Sequence, residues 1–137
     1  YLRMKNEINK ESFKEGIERH LYEILIVQEY EKSLDNVDDS IIQEISKFKK
    51  VIVYGARVYA AETVEKLKRK GIHVDSLAIT KMHELVKGIN GIPVYQIDDL
   101  CHIKEESMVI LGVAKWNRGD VIETLKRLGF MHWIALD

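Results

Sequence analysis

The sequence predicts an α/β fold in which five parallel strands form one sheet with helices on both faces. After residue 50, short apolar stretches alternate with amphipathic helical patterns, which is typical of a parallel sheet built from right-handed crossovers. Residues 51–54 are continuously apolar, as in strands that are buried on both faces. Gly71 and Gly129 end two of the helical patterns. We therefore expect the strand order 3-2-1-4-5.

The elements of this α/β region, residues 49–137, follow from the change of hydrophobic period along the chain. In order, they are strand one (51–54), a helix (57–70), strand two (73–79), a short helix or loop (81–86), strand three (92–95), a helical turn (98–101), strand four (107–113), a helix (118–128) and strand five (131–136). The lone proline, Pro93, stands near the start of strand three, where a strand tolerates it.

An N-terminal helical segment, residues 1–48, precedes the α/β region. One helix is expected over residues 10–34, with Ser12 as N-cap and Glu15 as its capping-box partner. A second is expected over residues 39–48, with an apolar face of three isoleucines: Ile41, Ile42 and Ile45. The first helix either packs back onto the α/β region or pairs with a second copy to form a homodimer.

Composition excludes several classes of partner and location. The chain has 137 residues, enough for one core, and a formal net charge of −1, which offers no basic face for nucleic acid. Its single cysteine, Cys101, allows no internal disulfide and fits the reducing cytoplasm. No apolar run approaches the roughly 18–20 residues of a membrane span, and we expect no signal peptide. Because residue 1 is tyrosine, we expect a piece of a longer protein.

The turn after strand one is a modified phosphate-binding turn. The three glycine positions of a dinucleotide fingerprint are occupied by Gly55, Arg57 and Ala60. The helix that follows would direct its N-terminus at a bound anion. The second glycine normally lets the backbone touch a pyrophosphate, and the Arg57 side chain would crowd that approach. The turn therefore favours an anion smaller than a dinucleotide.

The predicted strand order brings two loops together where the chain reverses direction, the place at which open α/β sheets bind ligands. We predict eight ligand-binding residues in these loops: Gly55, Ala56, Arg57, Tyr59, Lys115, Trp116, Asn117 and Arg118. The three cations suit phosphate, and the indole and amide suit a sugar or base. In the alternative interpretation the cations are only solvated and Trp116 covers the sheet edge.

NAD and FAD are disfavoured as cofactors. A dinucleotide site usually carries an acidic residue about 20 residues after the glycines, at the end of strand two. Thr80 and Lys81 stand there, and Asp75 should lie at the start of the strand, away from the crevice. The histidines have no metal-ligand spacing, and no acid/base pair emerges. We therefore predict neither a metal site nor a catalytic centre in this chain.

Residues 50–136 resemble a Rossmann-like accessory domain of bacterial surface-polysaccharide biosynthesis enzymes. Three segments carry the resemblance: Tyr54-Gly55-Ala56-Arg57 where the family reads YGAG, Gly91-Ile92-Pro93-Val94 before strand three, and the apolar strand from Val109 with Asn117 after it. The family accompanies glycosyltransferases, sugar-modifying methyltransferases and sugar acyltransferases. Similar pieces also occur in CoA-binding and redox-sensing proteins.

The resemblance implies a nucleotide-sugar or phosphosugar-binding accessory domain of a larger transferase in cell-surface glycan synthesis. In the acyltransferase relatives this domain binds the nucleotide-sugar, whereas Arg57 and Ala60 depart from the family pattern. Two alternatives stay open. One is a fragment of an NAD(P)-dependent oxidoreductase, and the other is a structural or dimerisation module that binds no ligand.

Overall fold

The computed structural model describes residues 24, 25, 28, 37–82 and 88–136. The chain divides into two units, Tyr1–Ser33 and Leu34–Asp137. In the first unit Ile24, Leu25 and Gln28 are described, and all three are helical. The rest of the predicted helix over residues 10–34, with its capping residues Ser12 and Glu15, lies outside the described residues, as do residues 83–86 of the predicted short helix or loop.

The elements of the second unit alternate as the sequence predicts. They are α1 (Asp39–Ser46), β1 (Lys50–Tyr54), α2 (Val58–Arg69), β2 (Ser76–Ile79), β3 (Val94–Gln96), a 3-10 helix (Ile97–Glu106), β4 (Ser107–Leu111), a 3-10 turn (Lys115–Asn117), α3 (Arg118–Leu128) and β5 (Trp133–Ile134). No helix among these residues is both long and apolar enough to cross a bilayer.

The five strands form one parallel sheet in the order β3-β2-β1-β4-β5, which confirms the predicted topology. The central pair has the longest ladder and runs from Lys50 opposite Ser107 to Tyr54 opposite Leu111. The outer strand β5 pairs at two positions, Trp133 and Ile134. The predicted strand over 131–136 is longer than β5 because its other apolar residues have no ladder partner on β4.

Helices cover both faces of the sheet, as predicted. Alternate residues of β1 point to opposite faces. Val53 joins a core formed with α1 and α2, in which Ile45 and Leu67 are fully buried. Ile52 joins a second core, formed with α3 and the longer 3-10 helix, in which Leu125 is fully buried. The sheet is therefore the middle layer of three.

Helix α1 packs on the sheet unit although its residues fall in the predicted N-terminal helical segment. Asp38 caps it: the side-chain Oδ1 accepts a hydrogen bond of 2.9 Å from the Ser40 backbone N–H. Ile45 is fully buried, and Ile41 and Ile42 pack partly buried against the same core. The predicted apolar face is thus confirmed, and it is this face that holds α1 on the sheet.

Two glycines meet where β1 and β4 end. The Gly55 N–H donates to the Ala78 carbonyl at 2.7 Å, and the Gly112 N–H donates to the Tyr54 carbonyl at 2.9 Å. Gly55 has a φ of +133°, and a Cβ on it would lie 2.4 Å from the Gly112 carbonyl oxygen. A Cβ on Gly112 would lie 2.9 Å from the Cα of Ala60. Only glycines allow the first turn of α2 to approach the sheet this closely.

We expect Gly112→Ala to lower the free energy of unfolding by about 1–3 kcal/mol, the usual cost of overpacking a core. The added methyl would lie 2.8 Å from Val53 Cγ1. The matched control is Gly119→Ala on α3, where a Cβ meets no atom within 4 Å. Urea denaturation measures both. If Gly112→Ala is as stable as Gly119→Ala, the two backbones are not in close contact.

Candidate ligand-binding site

A cleft of about 570 Å³ opens at the carboxyl ends of the three inner strands, β2, β1 and β4. This volume lies within the range of about 300–1,000 Å³ typical of small-molecule sites. Its walls come from three segments and the start of α3, and the lining residues are Tyr54–Tyr59, Ile79–Lys81, Gly112–Ala114, Trp116, Asn117, Asp120 and Val121. The cleft lies at the switch point that the strand order predicts.

Most of the predicted site residues line this cleft. Six do so: Gly55, Ala56, Arg57, Tyr59, Trp116 and Asn117. Lys115 and Arg118 do not. The reason is the 3-10 turn at Lys115–Asn117, because residues three apart lie on the same side of such a turn. Lys115 and Arg118 therefore share one side, which does not line the cleft, and Trp116 and Asn117 occupy the other two sides, which do.

Arg57 stands at the N-cap position of α2, with an extended backbone (φ −123°, ψ −151°). Its side chain is exposed and makes no capping hydrogen bond to the helix. The first turn of α2 contains no acidic residue. The first N–H groups of a helix have no intrahelical partner and carry the positive end of the helix dipole. Arg57 adds a full positive charge to that end.

An aromatic pair joins the first turn of α2 to the 3-10 turn before α3. The rings of Tyr59 and Trp116 meet edge to face, with centroids 6.3 Å apart and an interplanar angle of 87°. Both rings are accessible, since Tyr59 is 48% exposed and Trp116 is 78% exposed. Tyr59 follows the glycine turn and lines the cleft, as the sequence predicts, and Trp116 lines it too. Exposed aromatic faces of this kind can stack on a base or a sugar.

Two charged residues of the cleft were missed by the sequence-based prediction of the site. Lys81 follows β2, and Asp120 lies in the first turn of α3. Both are exposed. The signal for Lys81 was its place just after a predicted strand, at the carboxyl edge of the sheet. The signal for Asp120 was weaker, because an acidic residue in a first helical turn is also explained by the helix dipole.

The ends of β1 and β2 are joined by a hydrogen bond between the hydroxyl groups of Tyr54 and Thr80. Burial raises the pKa of the Tyr54 phenol above its ordinary value of 10.0, and the Asp98 charge acts in the same direction. The Thr80 hydrogen bond and the Arg127 charge oppose this pKa shift. The phenol is therefore neutral at physiological pH and serves as a fixed wall of the cleft.

Asp75 lies away from the cleft, as expected. It precedes β2, and its Oδ2 accepts a hydrogen bond of 2.8 Å from the Val51 backbone N–H, near the start of β1. The end of β2 that faces the cleft presents Ile79, Thr80 and Lys81. Within residues 37–82 and 88–136, no three His, Cys, Asp or Glu side chains are grouped so that they could hold a metal ion.

Comparison of the chain with protein-family models, with curated proteins and with solved structures gives no match.

We expect stability to fall with rising pH more steeply in the native protein than in Tyr54→Phe. The unfolded tyrosine loses its proton near pH 10.0, whereas the raised pKa keeps the folded one neutral. This contribution is complete below the unfolded pKa and is lost as the pH rises through the folded pKa. Urea denaturation from neutral pH to pH ~11 measures the difference.

The control for this experiment is Tyr95→Phe, because Tyr95 is 42% exposed. At neutral pH, Tyr54→Phe should cost about 0.5–1.5 kcal/mol for the lost hydrogen bond. Equal pH slopes for the native protein and both variants would show that Tyr54 titrates as it does in water.

Proposed function

We propose that this domain binds a nucleotide-sugar or a phosphosugar, and that it is an accessory domain of a larger bacterial transferase of cell-surface glycan synthesis, in the cytoplasm. One observation supports the ligand above all. A single cleft at the switch point combines a cationic helix N-terminus with an accessible aromatic pair. The resemblance of residues 50–136 to such accessory domains supports the proposal that the domain is part of a larger transferase.

The phosphate would bind at the N-terminus of α2. Backbone N–H groups there can donate to phosphate oxygens, and the helix dipole favours a negative charge. Arg57 can donate two parallel hydrogen bonds to one phosphate group. The exposure of Arg57 leaves its guanidinium accessible to a ligand.

The sugar or base would contact the aromatic pair, in which Tyr59 on α2 meets Trp116 on the opposite wall. Both provide apolar ring surfaces, and the Asn117 amide beside Trp116 can donate to and accept from hydroxyl groups or a base edge. A phosphate joined to a ring matches the two walls better than either part alone. Since no acid/base pair was predicted in this chain, the transfer chemistry would belong to the rest of the larger protein.

A dinucleotide fits the turn less well. Arg57 occupies the position at which a glycine lets a pyrophosphate approach the backbone. One observation nevertheless favours the oxidoreductase alternative: Lys81 follows β2, near the place where a basic side chain holds the 2′-phosphate of NADP. The ligand panel below therefore includes both nicotinamide dinucleotides.

The test of the proposal is a thermal-shift series with UDP-glucose, UDP-N-acetylglucosamine, CDP-glycerol, glucose 1-phosphate, NAD, NADP and CoA. A ligand that binds only the folded state raises the Tm in proportion to the logarithm of its concentration above Kd. We expect the sugar phosphates and nucleotide-sugars to raise the Tm. Stabilisation by NAD or NADP alone would support the oxidoreductase, and no stabilisation by any compound would support the structural module.

We expect Arg57→Met to weaken binding of the stabilising compound by about tenfold or more, the effect of one charge-assisted hydrogen bond. The matched control is Lys115→Met. Lys115 is two residues from Asn117 in sequence but does not line the cleft, so its loss should change Kd less. Isothermal titration calorimetry measures Kd for both. Equal losses for the two variants would mean that the cleft attracts anions by general charge rather than at Arg57.

A further inference from the structure

Charges are separated along the cleft. Lys81 follows β2 and Arg57 follows β1, whereas Asp120 lies on α3, which follows β4. Because β1 lies between β2 and β4, the two cations are on one side and the carboxylate is on the other. Neighbouring strands are about 4.8 Å apart, so the ends of β2 and β4 are separated by about 10 Å. That distance leaves room for two different chemical groups of one ligand.

The side that carries Asp120 is unsuited to phosphate. A carboxylate repels an anion and can only accept hydrogen bonds. The same carboxylate, in the first turn of α3, offsets the positive end of that helix. By contrast, the first turn of α2 has no acidic residue. Helix α3 also begins with a cation, Arg118, but of the charged residues at its start it is Asp120 that lines the cleft. Of the two helices that begin at the cleft, α2 is therefore the one that presents a cation to an anion there.

The neighbours of Asp120 suit a polyhydroxylated ring. Trp116 and Asn117 line the cleft beside it, and the indole is 78% exposed. An aromatic face packs on the C–H groups of a sugar, an amide pairs with its hydroxyl groups, and a carboxylate accepts from those hydroxyl groups in charge-assisted hydrogen bonds. The phosphate of such a ligand would then lie toward Arg57 and Lys81.

We infer that the cleft binds a sugar phosphate in one orientation, with the phosphate between Arg57 and Lys81 and the sugar hydroxyls donating to Asp120. This inference rests on the proposed function and adds two ligand-binding residues to it, of which Asp120 determines specificity. Lys81 strengthens binding of every phosphate-bearing compound. Asp120 favours ligands that carry a hexose over phosphates that lack it. The shared chemistry is a sugar phosphate ester, either free or linked to a nucleotide.

The experiment compares Asp120→Asn with the native protein by calorimetry, using UDP-glucose, UDP-N-acetylglucosamine, glucose 1-phosphate, UDP and inorganic diphosphate. Replacing a charged acceptor by a neutral one should weaken the three hexose-bearing probes by about fivefold to tenfold. UDP, which lacks the hexose, and diphosphate, which has no sugar, should bind with unchanged or higher affinity, because a repulsive charge is removed. The control is Glu123→Gln, on the same helix but outside the cleft. Lys81→Met should weaken all five probes alike.

The outcomes separate the two proposals. If the native protein binds none of the probes, the proposed function fails and the inference fails with it. If the native protein binds them through Arg57 but Asp120→Asn leaves the ratio of affinities for hexose-bearing and hexose-free probes unchanged, only the inference is overturned. If Asp120→Asn weakens binding of glucose 1-phosphate relative to diphosphate, the natural ligand is a free sugar phosphate. If it weakens only the UDP-sugars relative to UDP, the natural ligand is a nucleotide-sugar.

Discussion

The cleft depends on the contact between the backbones of Gly55 and Gly112. A Cβ on Gly55 would lie 2.4 Å from the Gly112 carbonyl oxygen, and a Cβ on Gly112 would lie within 3 Å of the Val53 side chain and of the Ala60 Cα. A side chain at either position would therefore push these segments apart. The contact lets Ala60, fully buried, pack the first turn of α2 against the sheet. The N-terminus of α2 is thereby held at the floor of the cleft, where an anion would meet it.

The two helices that begin at the cleft differ in their electrostatics, although the same fold places them. Helix α2 begins at Arg57 without an acidic residue in its first turn, and α3 carries Asp120 in its first turn. Arg57 adds to the positive potential at the N-terminus of α2, whereas at the N-terminus of α3 the charges of Arg118 and Asp120 oppose each other, and Asp120 is the one that lines the cleft. This asymmetry, together with the aromatic pair, gives the cleft a cationic side and a side suited to a ring.

The short 3-10 turn before α3 determines which of residues 115–118 line the cleft. From their place in the loops at the predicted switch point, Lys115 and Arg118 were expected to join Arg57 around one phosphate. The turn instead places Trp116 and Asn117 on the cleft. The threefold period of the turn therefore decides that the β4 side of the cleft contributes an indole and an amide rather than two cations.

The sequence by itself determined the order of the strands, the helix over 118–128 with its stop at Gly129, and the two loops that flank the cleft. The helix and the loops follow from local periodicity and from the positions of glycines, and the strand order follows from the rule that crossovers between parallel strands are right-handed. The tertiary structure decided what depends on residues far apart in sequence. It limited β5 to the positions that pair with β4, brought Gly112 against Gly55, and put Lys81 and Asp120 in one cleft. No local pattern encodes those contacts, because each arises only when separate strands are side by side.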